Sequence, residues 1–133
     1  MSNPPPGKIT IAIVDDHEPF RAATSALLRS RGFATVTHGC VKDFIRSGVM
    51  ARIQCLILDV GMPEIDGFAL QECLRDTNFD FPIIFCSGQD DDEAKNRALT
   101  NGAVYFLRKP VDSDALIQSI CSACNLPAPP AFS

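Results

Sequence analysis

The stretch Cys55-Leu56-Ile57-Leu58-Asp59-Val60-Gly61-Met62-Pro63-Glu64-Ile65-Asp66-Gly67 decides the fold. Four consecutive apolar residues, Cys55 to Leu58, fit a strand buried on both faces, as in a parallel sheet covered by helices on each side. The strand ends in Asp59, and Gly61 and Pro63 break the run behind it. The Asp59 carboxylate is therefore expected at the carboxyl edge of the sheet, where open α/β folds gather their chemistry.

The flanking sequence repeats this logic. Ile9 to Val14 is a β-branched run that stops at Asp15-Asp16, giving a first strand with two carboxylates at its end. Pro19 opens a helix in which Phe20, Ala23, Leu27 and Leu28 recur at helical spacing, and Gly32 ends it. Phe33 to Thr37 reads as a partly polar edge strand, and Val41 to Arg46 as a short helix. Leu70, Cys73 and Leu74 mark one face of a third helix. Phe81 to Cys86 is a fourth strand, with Pro82 near its start, closed by Ser87-Gly88. Asp90 to Glu93 crowd the start of a helix and favour the positive end of its dipole. Its interior offers only Ala94, Ala98 and Leu99 for burial, so this helix is expected to be loosely held. Gly102 ends it, Ala103 to Leu107 is the fifth strand, and Arg108-Lys109-Pro110 follows. A last helix, capped by Asp112 or Ser113, would bury Leu116, Ile117, Ile120, Cys121 and Cys124.

Five strands alternating with five helices predict an α/β fold: a five-stranded parallel sheet in the order 2-1-3-4-5, with helices on both faces. Residues 1–7, with three consecutive prolines, read as a flexible tail, 8–124 as one domain, and 125–133 as a proline-rich tail or the start of a linker.

The chain has 133 residues, enough for one domain with its own core, and 12 basic against 16 acidic residues give a formal charge of -4. No basic cluster marks a nucleic-acid surface, so direct DNA binding is not expected. No apolar run approaches the roughly 20 residues that span a bilayer, and no signal peptide opens the sequence, which together point to a cytoplasmic protein. Cys55, Cys73 and Cys86 fall within apolar patterns and read as small buried hydrophobes with reduced thiols. Cys121 and Cys124 form a CxxC without a second ligand pair, which argues against zinc. His17 and His38 read as surface residues.

Under this topology Asp15, Asp16, Asp59, Ser87 and Lys109 collect at one edge of the sheet. Three neighbouring carboxylates repel, so they either raise one another's pKa values or bind a cation. All-oxygen ligands favour Mg²⁺. Phosphoryl transfer is catalysed mainly by positioning and by neutralising oxygens. A carboxylate nucleophile (Asp59), an ammonium (Lys109), a hydroxyl (Ser87) and a close backbone N–H (Gly88) supply the parts around the metal. Singly each residue has a plainer role, since aspartates cap helices, Ser-Gly forms turns and Lys-Pro ends strands. The coincidence of five at one edge carries the argument.

These residues resemble the receiver domain of two-component response regulators. The match runs over residues 8–124 through Val14-Asp15-Asp16, Leu58-Asp59, Met62-Pro63, Asp66-Gly67, Ser87-Gly88, Gly102-Ala103, Tyr105 and Lys109-Pro110. Phe106 to Pro110 and the helix from Ala94 to Gly102 look closest to the FixJ-like branch. The resemblance implies a switch in which a sensor histidine kinase or phosphotransfer protein passes a phosphoryl group to Asp59. By similarity, Asp16, Asp59 and the Gly61 carbonyl would hold Mg²⁺ or Mn²⁺, with Asp15 acting through water. Ser87, Lys109 and the backbone of Val60 and Gly88 would hold the phosphoryl oxygens. Ser87 would move toward the phosphate and Tyr105 would turn inward behind it. The helix 90–100, the fifth strand and the last helix would form the face that reports to an output partner, an output domain or a second copy of the chain. The Lys109–Pro110 bond would be cis. Such a domain is not an enzyme in the ordinary sense, although it promotes its own phosphorylation and dephosphorylation. Gly61 and Gln89 depart from common family choices beside the path of hydrolytic water, which leaves the phosphoryl lifetime open. A free-standing receiver and the front of a longer regulator both fit.

Three rivals remain. A haloacid dehalogenase-type phosphatase needs an acid two residues after its nucleophile, where this chain has Gly61. A flavodoxin-type module would face its ligand phosphate with Asp15-Asp16-His17-Glu18, which repels it without a metal. A degenerate receiver, acting only by protein contact, would not need the complete acid, hydroxyl and lysine set.

Overall fold

The computed structural model describes residues 9–59, 70, 81–88, 92–100 and 102–126. Its strands are β1 (Thr10–Val14), β2 (Ala34–His38), β3 (Cys55–Asp59), β4 (Ile83–Ser87) and β5 (Tyr105–Arg108). They form one sheet in the order β2-β1-β3-β4-β5 with every pairing parallel, as the alternating pattern predicts. β1, β3 and β4 are buried along their whole length, whereas the edge strand β2 is not.

The pleat sends alternate residues to opposite faces. Ala12, Val14, Leu56, Leu58, Ile83 and Phe85 join one core cluster with Val41, Phe44, Leu70, Ala98 and Phe106. Ile11, Ile13, Cys55, Ile57, Ile84 and Cys86 join the other with Leu28, Leu116, Ile117 and Ile120. Helix α1 (Glu18–Ser30) and the last helix (Ser113–Ala123) thus cover one face. Helix α2 (Val41–Ser47), Leu70 and the Asp92–Thr100 helix cover the other.

Helix ends follow their local chemistry. Pro19 lies in the first turn of α1, and Asp112 caps the last helix by accepting the Ala115 N–H at 2.9 Å. Gly102 adopts φ +105° and donates its N–H to the Leu99 carbonyl, closing the Asp92–Thr100 helix in a conformation that glycine tolerates.

Some expectations change. Ala23 faces solvent, and it is Thr24 and Ser25 that are buried, the latter through a 2.7 Å hydroxyl pair with Thr35 on β2. The polar edge strand thus selects polar partners on α1. A 3-10 turn, Val49–Ala51, precedes β3 and buries Val49, which the helix pattern did not foreshadow. Leu99 is exposed while Ala98 is fully buried, so among the described side chains of the Asp92–Thr100 helix the buried one is small. His38 is half-buried, edge-on to Phe44 at 5.7 Å between ring centres, and its Nδ1 has no partner among the described residues. Burial pushes its imidazole pKa down, with Asp43 opposing. Cys55 and Cys86 are buried as expected. Leu70 is helical and buried, while Cys73, Leu74, Asp90 and Asp91 lie outside the described residues. Among the described residues no helix is long and apolar enough to cross a membrane.

Phe85 is the middle residue of the interior strand β4, fully buried, with its ring 6.3 Å from that of Phe106. Phe85→Ala should destabilise the fold by about 3–5 kcal/mol. Urea unfolding monitored by circular dichroism would measure this.

Candidate functional site

Register assembles the site. Val14 pairs with Leu58, so the residues that follow them, Asp15 and Asp59, leave the sheet side by side. Asp59 pairs with Cys86 and Ser87 with Arg108, and the Lys109 N–H donates to the Ser87 carbonyl at 2.8 Å. The ends of β1, β3, β4 and β5 therefore meet at one edge. The expected collection of Asp15, Asp16, Asp59, Ser87 and Lys109 is found there.

Asp15, Asp16 and Asp59 each present a carboxylate oxygen, and these oxygens lie within 4.8 Å of one another. Asp15, Asp59 and Ser87 are buried, whereas Asp16 is exposed. Lys109 reaches into the group, with Nζ 2.7 Å from Asp15 Oδ2 and 3.8 Å from Asp59 Oδ1. The other Asp15 oxygen, Oδ1, accepts the His17 N–H at 2.8 Å, which fixes the turn into α1. Both oxygens of Asp15 are thus engaged. Crowded carboxylates with one ammonium among them make a site of net negative charge, and an all-oxygen set of this kind suits a hard divalent cation.

Two supporting residues were not singled out as site residues from the sequence. Phe20, expected only as a core residue of α1, lies under the lysine, whose Nζ is 4.3 Å from the ring centre. A cation held against an aromatic face is favourably placed and kept from swinging outward. Arg21 donates to the Asp15 carbonyl at 2.7 Å and anchors the β1–α1 connection. The helical spacing that revealed Phe20 could have placed it beside the acidic pair, since it follows Asp16 by four residues. Arg21 had no comparable signal.

The switch role expected for Tyr105 does not fit its place. Tyr105 packs against the cluster on the α1 face, and its hydroxyl donates to Ser122 Oγ at 2.9 Å. Ser87 is two residues beyond Phe85 and therefore shares the opposite face, the one that holds Phe106. Period-two geometry makes Phe106 the β5 aromatic on the Ser87 side. The backbone groups of Val60 and Gly61 lie outside the described residues, as does Gln89, and Gly88 is exposed just past β4. The Lys109–Pro110 peptide is cis. Beside the acids, burial pushes the Cys86 thiol up to about 12, so it stays protonated.

Comparison with known proteins gives a consistent picture. The family model described as "Response regulator receiver domain" matches residues 11–121. The chain is similar to the transcriptional regulatory protein TdiR of Thauera aromatica, with 32% identity over 88% of this chain and 52% of that protein. It is also similar to the transcriptional regulatory protein FixJ of Rhizobium meliloti, with 32% identity over 84% of this chain and 54% of that one. The chain spans about half the length of these curated relatives. Among solved structures, FixJ-N superposes with a TM-score of 0.80 at 30% identity, covering 89% of this chain and 94% of that chain.

The Lys109–Asp15 contact is a partly shielded charge pair, and neighbours in contact do not behave additively. A double-mutant cycle of Lys109→Met and Asp15→Asn in the metal-free protein should give a favourable coupling of about 0.5–3 kcal/mol. Additive effects in chemical denaturation would show that the pair contributes nothing.

Proposed function

The chain belongs to the family of response regulator receiver domains, and from that membership we propose that it is a phosphorylation switch with Asp59 as the phosphoacceptor. The observation that carries this reading is the meeting of Asp15, Asp16 and Asp59 with Lys109 at the carboxyl edge of the sheet.

The donor is a phosphohistidine on a histidine kinase or phosphotransfer protein. An Asp59 oxygen attacks phosphorus, an O–P bond forms, the P–N bond breaks, and the imidazole leaves. Lys109, already between Asp15 and Asp59, neutralises a phosphoryl oxygen. Ser87, buried at the end of β4, supplies a hydroxyl, and by the family resemblance the backbone N–H groups of Val60 and Gly88 would serve the remaining oxygens. Asp16 and Asp59 would hold Mg²⁺ or Mn²⁺, a set to which the family resemblance adds the Gly61 carbonyl. The engagement of both Asp15 oxygens favours an indirect, water-mediated part for that residue. When bound, the ion supplies positive charge that offsets the charge on the transferring oxygens.

The response face consists of the Asp92–Thr100 helix, β5 and the last helix. Leu99 and Val104 are both exposed near the end of that helix and the start of β5, which gives the face apolar surface for a partner or a second copy of the chain. Arg108, at the end of β5, pairs with Asp92 in the first turn of the helix at 3.0 Å. This exposed pair is weak, so it tethers the helix lightly to the edge where the phosphoryl group arrives. Ser87 moves toward that group, and Phe106 takes the inward role for which its face suits it. Ala98 supplies little buried area to resist the shift.

Incubation with acetyl phosphate and Mg²⁺ should add one phosphoryl group, seen by intact-protein mass spectrometry as an acid-stable, base-labile adduct. Asp59→Asn should abolish it. An unmodified wild-type protein, under conditions that label another receiver, would favour a domain that acts by protein contact alone.

Mg²⁺ at about a hundredfold its Kd should stabilise the native state by about 2.7 kcal/mol. Thermal unfolding would show this as a rise in Tm that Asp16→Asn removes and Lys109→Ala retains.

A further inference from the structure

The edge of the sheet opposite the acids carries a second chemical feature. Cys55 is the first residue of β3 and is fully buried, while Cys124 follows the last helix at its carboxyl end and is half-buried. The Cys124 thiol donates to the Gln54 carbonyl at 3.6 Å, against the residue bonded directly to Cys55. The Cys55 and Cys124 thiols are close enough to shift one another's pKa. Both belong to the apolar cluster on that face, where Cys121, one turn before Cys124, is buried as well. A pair of neighbouring thiols, one of them reachable from solvent, is an arrangement that neither packing nor the phosphoryl site requires.

We propose that Cys55 and Cys124 are a peroxide-responsive dithiol whose oxidation closes a disulfide between the start of β3 and the end of the last helix. Cys124 reacts first because it is the accessible member. Its thiolate attacks a peroxide oxygen, an S–O bond forms, the O–O bond breaks, and water leaves once the second oxygen is protonated. The Cys55 sulfur then attacks the sulfenic sulfur, the S–S bond forms, the S–O bond breaks, and a second water leaves. Two thiols are oxidised and one peroxide is reduced to two waters.

The interaction with Cys55 lowers the Cys124 pKa, consistent with Cys124 as the attacking group, whereas that interaction and burial raise the pKa of the Cys55 thiol. The bridge would pin the last helix to the strand that ends in Asp59. Oxidation would thus restrain an element of the proposed response face from the edge farthest from the acids. The chemistry of the pair does not depend on the phosphoryl reading.

The test is oxidation of the folded full chain with hydrogen peroxide, alkylation of the remaining thiols, and proteolysis without reductant. Mass spectrometry should find Cys55 and Cys124 joined as the main cross-link, with the protein lighter by two hydrogens, a higher Tm, and full reversal by dithiothreitol. Cys124→Ser should abolish the link and Cys40→Ser should keep it. A main bridge between Cys121 and Cys124, a link through Cys40, Cys73 or Cys86, or sulfinic acid at Cys124 beside an alkylatable Cys55 would overturn the proposal. An unchanged, fully alkylatable protein would overturn it equally.

Discussion

Three carboxylates held within 4.8 Å of one another repel, and much of the carboxyl edge of this sheet is arranged to live with that repulsion. The acids cannot move apart, because β1 and β3 are hydrogen-bonded neighbours whose registered ends carry them. What relieves them is Lys109, brought from the far end of the sequence by β5 and seated against Phe20 on α1. The ammonium serves Asp15 closely and Asp59 more distantly, so charge is left over on Asp16 and Asp59. That residual charge is the chemical basis for the proposed cation-binding, phosphoryl-accepting role of this edge.

The same arrangement explains how a local charge event could be felt elsewhere. Lys109 is joined through its backbone to Ser87, and its neighbour Arg108 reaches the first turn of the Asp92–Thr100 helix. A new dianion on Asp59 would draw both the lysine and the serine. The helix next to them holds to the core through Ala98 and leaves Leu99 outside. Among its described side chains the buried one is the small Ala98.

How much of this the sequence disclosed depended on period and on position. The apolar run Cys55 to Leu58 and the acids at strand ends were legible because burial on both faces and termination are both local signals. The strand order followed from alternation with helices. The cap at Asp112 was readable for the same local reason. What escaped was set by packing across the sheet. Ala23 matched a helical repeat yet faces water, because the edge strand β2 presents Thr35 to Ser25. Tyr105 and Phe106 differ by one position in a strand, and one position exchanges the two faces. Only the placement of Phe85 and Phe106 in one cluster and Tyr105 in the other separates them. His38 looked like a surface residue because nothing in its neighbours foretold the edge contact with Phe44.

The central claim is that Asp59, and neither of its acidic neighbours, receives the phosphoryl group. Borohydride reduction of the phosphorylated protein converts an acyl phosphate into the corresponding alcohol and so marks the acceptor in the chain itself. Peptide sequencing by mass spectrometry should then find homoserine at position 59 alone. Homoserine at position 15 or 16, with aspartate intact at 59, would contradict the account.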